Sequence, residues 1–390
     1  MKNRQVVLGI VAEYDPFHNG HEYHLSAAKK AVQPDSVYVV LSPCIKQRGT
    51  LSVLSPHDRA ACVLHSGADA VFLLPVLWTL RDAEHYAMGS VSLLCSLGVT
   101  HIAFGVETND PALLHKTADF LENPPSSFHD VLISCMEDGN GYPASLSQAV
   151  SRFLPESGRI LSLPNNILGI CYLRALKKLR SDVKPVMIPR TSSDHDCFVS
   201  AESPSASAVR NALIHGNYSK LYQAVPPFSA GIIRKALLSH RIPDPEVWNN
   251  MMIECLRFSD TAHLPDLSEG LGEAIKKKAA QVSSEEDLIA GVTSRRYTAS
   301  RISRICALAM LGVTDSRIKE LSLPGSSLLL ALRKSRALTE RWKNLPLNIA
   351  VSPVQWEKYA EPEEIRCWRL WAACCHLPDT LPFTEKIYTE

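Results

Sequence analysis

The clearest indication of the fold class comes from residues 6–24, Val6-Val7-Leu8-Gly9-Ile10-Val11-Ala12-Glu13-Tyr14-Asp15-Pro16-Phe17-His18-Asn19-Gly20-His21-Glu22-Tyr23-His24. It opens with a short apolar run that predicts a buried strand, and a helical pattern follows from Gly20. Between them lies a turn that contains a proline, a glycine and two histidines. A strand that passes into a helix through such a turn gathers backbone N–H groups at the positive end of the helix. The stretch therefore predicts a phosphate site at the start of the first helix.

His18 and His21 are the candidate catalytic residues of this site. Their imidazoles can hydrogen-bond phosphate oxygens in the transition state, and Gly20 lets the backbone approach closely. Such a site holds ATP in line with an incoming oxygen while pyrophosphate leaves. The alternative is a pair of ordinary turn histidines, which the strand before and the helix after disfavour. His24 follows on the same helical face, and we expect no metal site here because a third ligand with recognisable spacing is missing.

Strands and helices alternate from this stretch onward. The predicted strands are Val6–Val11, Val37–Leu41, Ala70–Leu74, His101–Phe104 and Pro185–Ile188. The predicted helices are Gly20–Val32, Ser55–Ser66, Ala83–Leu97, Asn165–Leu179 and Ser205–Ile214. This alternation predicts an α/β fold, a Rossmann-like parallel sheet with right-handed crossovers and a site at the carboxyl ends of its strands. The pattern weakens over residues 110–158, where 123–127 is predicted to be a loop.

Beyond Pro226 the sequence shows helical patterns, at Ser268–Gln281, Ser284–Ile289 and Tyr297–Leu311, and no convincing series of strands. We therefore predict an α/β domain over residues 1–225, followed by a mainly helical C-terminal domain over residues 226–390.

The composition is that of an ordinary globular protein. Over 390 residues, 41 Lys and Arg balance 40 Asp and Glu, so any nucleic-acid surface must be a local patch. The 11 cysteines form no Cys-x-x-Cys pair, which favours reduced thiols over disulfides or a zinc site. No apolar stretch is long enough for a signal-peptide core or a membrane span. We expect a cytoplasmic protein without a membrane partner.

The best candidate for nucleic-acid binding is a basic segment of the C-terminal region. Its candidate residues are Arg295, Arg296, Tyr297, Arg301 and Arg304. Arginines can contact phosphates, and the tyrosine ring can stack on a base. The alternative is a solvated helix face spaced around Ile302 and Ile305.

Six further motifs follow the first stretch in a fixed order: Gln47-Arg48-Gly49, Ser66-Gly67-Ala68-Asp69, Phe104-Gly105-Val106-Glu107, Leu163-Pro164-Asn165-Asn166-Ile167-Leu168-Gly169, Lys184 to Arg190, and Arg296 to Arg304. With them the chain resembles the tRNA(Met) cytidine acetate ligase family, a branch of the HxGH nucleotidyltransferases. The resemblance implies activation of acetate with ATP to acetyl-adenylate. It further implies acetylation of the wobble cytidine of elongator tRNA(Met) to N4-acetylcytidine, with Mg²⁺ accompanying ATP.

The resemblance also implies a set of nucleotide-binding residues, namely Val11, Ala12, Glu13, Tyr14, Asp15, Pro16, Phe17, His18, Asn19, Gly20, His21, Glu22, Tyr23, His24, Gly105, Asn165 and Arg190. Gly105 gives room for adenine or ribose, Asn165 can bond a base or hydroxyl edge, and Arg190 can pair with phosphate. Ser207 and Arg210 look like the second phosphate motif of the superfamily, on one helical face. Taken alone, these residues could equally be a turn glycine, helix caps and a surface ion-pair partner.

The chain departs from the family pattern at several positions. Asp15 stands where Asn is usual, so we expect it either to repel the triphosphate or to hold a cation. Pro43 replaces a glycine and removes an N–H from a substrate-contacting loop. Leu73 replaces an acidic residue. Two alternatives therefore stay open: a divergent nucleotidyltransferase that adenylylates another small acid or phosphate, and a non-catalytic RNA-binding relative.

Overall fold

A computed structural model describes residues 5–190, 205–268, 270–333, 342–343, 345–380 and 384–390. An 8-stranded sheet runs through the molecule in the order β5-β4-β1-β2-β3-β6-β7, and β8 also pairs with β6. Its strands are β1 Val7–Ala12, β2 Ser36–Leu41, β3 Ala70–Leu73, β4 His101–Val106, β5 Lys184–Pro189, β6 Ser326–Leu332, β7 Asn348–Ala350 and β8 Tyr388–Thr389.

Both faces of the sheet are buried, which explains why its inner strands are continuous apolar runs. In β2, Val37 and Val39 enter one core cluster, whereas Tyr38 and Val40 enter the cluster on the opposite face. Successive side chains of a strand point to opposite faces, so each residue of such a strand must be apolar. Helices cover both faces.

The strands β1 to β5 are parallel to one another, and β1 lies between β2 and β4. The chain runs from β1 outward in one direction through β2 and β3, and then crosses back to β4 and β5 on the other side. The strand order therefore reverses between β1 and β4. In open α/β sheets, ligands bind at the carboxyl ends of the strands that flank this reversal.

The helices of the first half are α1 Asn19–Val32, α2 Pro56–His65, α3 Val76–Thr79, α4 Ala83–Ser96, α5 Pro111–Glu122, α6 Phe128–Glu137, α7 Tyr142–Phe153, α8 Pro155–Ile160 and α9 Pro164–Lys178. Those of the second half are α10 Ala206–Ile214, α11 Tyr218–Ala224, α12 Pro227–Leu238, α13 Pro245–Phe258, α14 Leu271–Ala279, α15 Glu285–Val292, α16 Ala299–Met310, α17 Asp315–Lys319, α18 Pro353–Tyr359 and α19 Pro362–Cys374. Among the described residues, no helix has the length and apolar character needed to cross a membrane.

The parallel sheet and its crossover helices confirm the predicted fold class. Each of the five predicted strands is present with shifts of one or two residues at its ends. The weak region 110–158 contains four helices, α5 to α8, instead of irregular chain. Helices α5, α6 and α7 each bury only two or three residues, so little of their sequence shows which face packs against the core.

The C-terminal region is mainly helical, as predicted, but the expectation of no strands beyond Pro226 is wrong. Strand β6 pairs antiparallel with β3, and β7 and β8 pair with β6. The sequence Ser326-Ser327-Leu328-Leu329-Leu330-Ala331-Leu332 is a short apolar run without β-branched residues, so periodicity alone does not separate a buried strand from a helix. The division of the chain at residue 225 stays a prediction.

Candidate active site

The predicted nucleotide-binding residues meet at the carboxyl edge of the sheet, on both sides of the reversal in strand order. The loop that contains His18 follows β1, Gly105 lies near the end of β4, and Arg190 directly follows β5. A Cβ atom built on Gly105 would lie 3.4 Å from Cγ of Arg190 and 3.9 Å from Cδ2 of His24. Three segments that are distant in sequence thus form one site.

His18 caps the N-terminus of α1. Its Nδ1 accepts a hydrogen bond from the Gly20 N–H at 3.1 Å, and Nδ1 of His21 accepts one from the His18 N–H at 3.3 Å. The two rings are stacked with their centroids 3.5 Å apart. Because both Nδ1 atoms are acceptors, this hydrogen-bond network assigns the proton of each neutral ring to Nε2. Each histidine therefore has one N–H donor available for an oxygen at the helix start.

Burial and neighbouring cations hold these imidazoles neutral. Burial, followed by the charges of Arg190 and Arg210, lowers the pKa of His18 to about 3. Burial also holds the pKa of His21 well below its usual range, with His18 and Arg190 adding to the effect. The pKa of His24 falls to about 4, again through burial and then Arg190. A positive potential that disfavours a protonated imidazole favours an anion at the same place.

Tyr14 and Phe17 of the loop after β1 pack against the His21 ring. The Tyr14 ring lies 4.7 Å from the His21 ring and 5.0 Å from the Phe17 ring, measured between centroids. Tyr14 adopts a φ of 45°, which is uncommon for a residue with a side chain. Tyr23, also predicted to bind nucleotide, is 47% exposed on the outer side of α1.

Asn165 is held in place by Glu107, a residue that the sequence reasoning did not single out. One carboxylate oxygen of Glu107 accepts hydrogen bonds from the Asn165 backbone and side chain, at 3.1 and 2.6 Å. The other oxygen accepts the Asn166 N–H at 2.8 Å. Glu107 thus caps α9 and orients the Asn165 amide, which lies 3.5 Å from a guanidinium nitrogen of Arg190.

Asp15 is a buried ion-pair partner. Its Oδ2 lies 2.6 Å from Nζ of Lys46, and its Oδ1 accepts the N–H groups of Val53 and Leu54 at 2.8 and 3.4 Å. Asp15 is only 1% exposed and Lys46 only 3%. Burial alone would raise the pKa of Asp15, but the charges of Lys46, Arg59 and Arg210 together lower it. The carboxylate is thus ionised, and both of its oxygens are engaged by the loop that follows β2.

Arg59 organises this part of the site and was also missed. It is fully buried on α2, and its guanidinium donates to the carbonyl oxygens of Glu13, Ser42, Pro43 and Leu54 at 2.7 to 3.2 Å. One side chain therefore ties the loop after β1 to the loop after β2. The available signal was a lone cation among the apolar residues that follow it on α2.

Ser207 and Arg210 reach the same loop from α10. A guanidinium nitrogen of Arg210 donates to the Asp15 carbonyl oxygen at 2.9 Å, and another lies 3.1 Å from Oγ of Ser207. The N-cap of this helix is Ser205, whose Oγ accepts the Ala208 N–H. The structure therefore places the predicted second phosphate motif beside the His18 loop.

The basic segment begins outside α16 and continues along it. Arg295 and Arg296 are exposed, Arg301 forms an ion pair with Asp266 at 3.1 Å, and Arg304 is only 8% exposed. The guanidinium carbons of Arg296 and Arg301 lie 5.6 and 5.5 Å from the centre of the Tyr297 ring. The segment is therefore part exposed surface and part buried helix face, and nucleic-acid binding by its exposed residues stays a prediction.

Comparison with known proteins agrees with this geometry. The model of the HIGH nucleotidyl transferase family matches residues 5–365. A tRNA(Met) cytidine acetate ligase of Kosmotoga olearia is 32% identical over 368 residues, which cover 90% of this chain and 86% of that protein. One of Fervidobacterium nodosum is 35% identical over 303 residues, 76% of this chain and 71% of that protein.

Two solved structures of Thermotoga maritima TmcAL are similar over nearly the whole chain. The apo form has a TM-score of 0.93 and the form bound with alpha-thio ATP one of 0.90. Each is 25% identical and is matched over 98% of this chain and 99% of its own. The shared sequence and fold lead to one conclusion: this chain belongs to the tRNA(Met) cytidine acetate ligase family of HIGH nucleotidyltransferases.

Proposed function

We propose that this protein is an ATP-dependent tRNA(Met) cytidine acetate ligase that acts in the cytoplasm. The observation that carries the proposal is the His18–His21 pair at the start of α1, whose Nδ1 atoms both accept backbone N–H groups so that the ring protons lie on Nε2, in a chain of this family. The substrates are ATP, acetate and elongator tRNA(Met), as the names of the curated relatives and the resemblance of the motifs indicate.

In the first step, a carboxylate oxygen of acetate attacks the α-phosphorus of ATP. The bond from this phosphorus to the bridging oxygen breaks, and pyrophosphate leaves with the bonding electrons. The product is acetyl-adenylate. His18 and His21 donate their Nε2–H groups to the phosphates, while Arg190 and Arg210 balance the negative charge.

The nucleotide is held by residues Val11 to His24 together with Gly105, Asn165 and Arg190. Gly105 leaves space at the end of β4, and Asn165 presents an amide that Glu107 has already oriented. Because both oxygens of Asp15 are engaged, this carboxylate is not a free ligand for a cation. Any Mg²⁺ that accompanies ATP would therefore be held by the phosphates and not by Asp15, and it would supply charge neutralisation there.

In the second step, the exocyclic N4 amine of the wobble cytidine attacks the carbonyl carbon of acetyl-adenylate. The carbon–oxygen bond to AMP breaks, AMP leaves, and the amine loses one proton to solvent. The product is N4-acetylcytidine. Arg295, Arg296 and Tyr297 offer exposed phosphate and stacking contacts to the tRNA, and Arg301 and Arg304 support them from α16.

The proposal is tested by incubating the protein with ATP, acetate and bulk tRNA and analysing the nucleosides by mass spectrometry. We expect N4-acetylcytidine together with pyrophosphate release that depends on acetate, and loss of both signals in His21→Ala. Exchange of labelled pyrophosphate into ATP, measured across a series of small acids, identifies the acid used. Exchange with another acid but not acetate would replace the proposal by a divergent nucleotidyltransferase. Tight tRNA binding without any exchange would identify a non-catalytic RNA-binding protein.

A further inference from the structure

Helices α10, α11 and α12 form a small unit beside the active site with a core of its own. Val209, Leu213, Leu221 and Ile233 from the three helices are buried together, and they pack against Val53 and Leu54. Val53 and Leu54 are the residues whose N–H groups bind Asp15. The unit is therefore built on the same loop that supports the His18 segment.

Two hydrogen bonds fix this unit to the proposed triphosphate site. Arg210 of α10 donates to the Asp15 carbonyl oxygen at 2.9 Å. The side-chain amide of Asn19, within the histidine motif, donates to the Gln223 carbonyl oxygen of α11 at 3.1 Å. The outer surface of α11 and α12 thus has a defined position next to the reacting phosphate.

This unit is strongly basic although the protein as a whole is nearly neutral. Residues 205–243 contain no Asp or Glu, and their cations are Arg210, Lys220, Arg234, Lys235 and Arg241. Arg241 pairs with Glu385, whereas the side chains of Lys220, Arg234 and Lys235 are exposed. None of these three forms an ion pair within the part of the chain that the structure describes. A cluster of this kind attracts a polyanion.

Two aromatic rings lie on α11, and one of them is beside Arg234. Tyr218 and Tyr222 of α11 stack with their centroids 6.3 Å apart and their planes 22° from parallel. The guanidinium carbon of Arg234 lies 5.3 Å from the centre of the Tyr222 ring. Tyr222 is partly buried against the core of the unit, but Tyr218 is 41% exposed. An exposed ring at the end of such a stack offers a platform on which a further planar group can stack.

We propose that the surface formed by Tyr218, Tyr222 and Arg234, with the exposed Lys220 and Lys235 on the same two helices, binds the single-stranded anticodon loop of the tRNA substrate. The inference rests on the proposed function. An RNA loop presents both unstacked bases and phosphates, and these fit a stacked aromatic platform edged with cations. A rigid duplex would offer only its phosphates. The surface adjoins the adenylation site, so a base next to the wobble cytidine can stack on Tyr218 while the cytidine itself reaches the acetyl group.

The test separates the two half-reactions. Tyr218→Ala, Tyr218→Phe and Arg234→Gln are assayed for acetate-dependent pyrophosphate exchange without tRNA, for the KM of an elongator tRNA(Met) transcript, and for transcript binding by fluorescence anisotropy over a salt series. We expect exchange at the wild-type rate in all three variants. Tyr218→Ala should raise the KM for tRNA on the order of tenfold, while Tyr218→Phe stays near wild type because it keeps the ring.

Arg234→Gln should weaken binding and reduce the slope of log affinity against log salt by about 0.7. The matched control is Arg152→Ala, an exposed arginine on α7 for which we expect no change. If Tyr218→Ala does not fold, Arg234→Gln and Lys220→Gln, both at exposed positions, provide the test.

Unchanged tRNA binding in both Tyr218→Ala and Arg234→Gln would overturn the proposal, and a surface reserved for a protein partner would give this result. A wild-type protein without exchange would instead contradict the proposed function. In that case the anisotropy measurement still decides whether this surface binds RNA.

Discussion

The ion pair between Asp15 and Lys46 leads to a prediction that separates two roles for Asp15. A carboxylate facing the triphosphate would repel it, so Asp15→Asn would tighten ATP binding without loss of stability. The structure predicts the opposite. The two charges lie 2.6 Å apart and are almost fully buried, and Asn would remove the carboxylate that pairs with the Lys46 ammonium and leave only the weaker influence of Glu13. We expect Asp15→Asn to lower the free energy of unfolding by about 3 to 5 kcal/mol, the usual cost of removing one partner of a buried pair.

Removing the other partner should cost less. In Lys46→Met, the Asp15 carboxylate keeps the N–H groups of Val53 and Leu54, and the charge of Arg59 remains close. We expect a loss of about 1 to 3 kcal/mol for this variant. The double variant removes both charges, so its loss should be smaller than the sum of the two single losses by about 2 kcal/mol.

Urea-induced unfolding of the four proteins at pH 7 measures this cycle, and calorimetric titration gives their ATP affinities. The control is Asp315→Asn, which breaks the exposed Asp315–Lys319 pair and should change stability very little. The reasoning would be refuted if Asp15→Asn were as stable as wild type and bound ATP more tightly.

Three further predictions concern single side chains. Burial raises the pKa of the Glu364 carboxyl to about 8 from an ordinary 4.5. The contribution of this group to stability is therefore full below about pH 4.5 and is lost as the pH rises through 8. Between pH 6 and pH 9, wild type should lose about 3 kcal/mol more unfolding free energy than Glu364→Gln, measured by urea unfolding. Gly49→Ala should lose at least about 2 kcal/mol, because Gly49 has a φ of +83° and its Cβ would lie 2.5 Å from the Ser303 backbone. Glu107→Gln should raise the KM for ATP severalfold, because the amide has only one oxygen to accept the hydrogen bonds that Asn165 and Asn166 donate to the two carboxylate oxygens.

The predictions for Glu364 and Gly49 each have a matched control. Glu254→Gln changes an exposed carboxylate that pairs with Arg257, and it should keep the wild-type dependence of stability on pH. Gly231→Ala on α12 meets open space and should stabilise the protein by about 0.5 to 1 kcal/mol. Equal pH profiles for wild type and Glu364→Gln, a fully stable Gly49→Ala, or an unchanged KM for ATP in Glu107→Gln would contradict the respective argument.

The α/β fold could be predicted from the sequence alone, and so could the loop that we propose as the site. Strands such as Val37–Leu41 are buried on both faces, so their continuous apolar sequence alone indicates a buried strand. The turn before α1 is likewise local, because the caps of a helix lie within a few residues of each other. His18 and His21 could therefore be recognised from the chain alone.

The residues that support the site are visible only in the tertiary structure. Lys46 binds Asp15 and Glu107 holds Asn165, and each pair joins segments that are 31 or more residues apart. Strand β6 was missed for the same reason, since its partner β3 lies far away in sequence. A charge pattern likewise does not show which arginines are buried, as Arg304 is, and which are exposed, as Arg296 is. Long-range pairing and burial depend on how the chain folds back on itself, and no local period of the sequence records that.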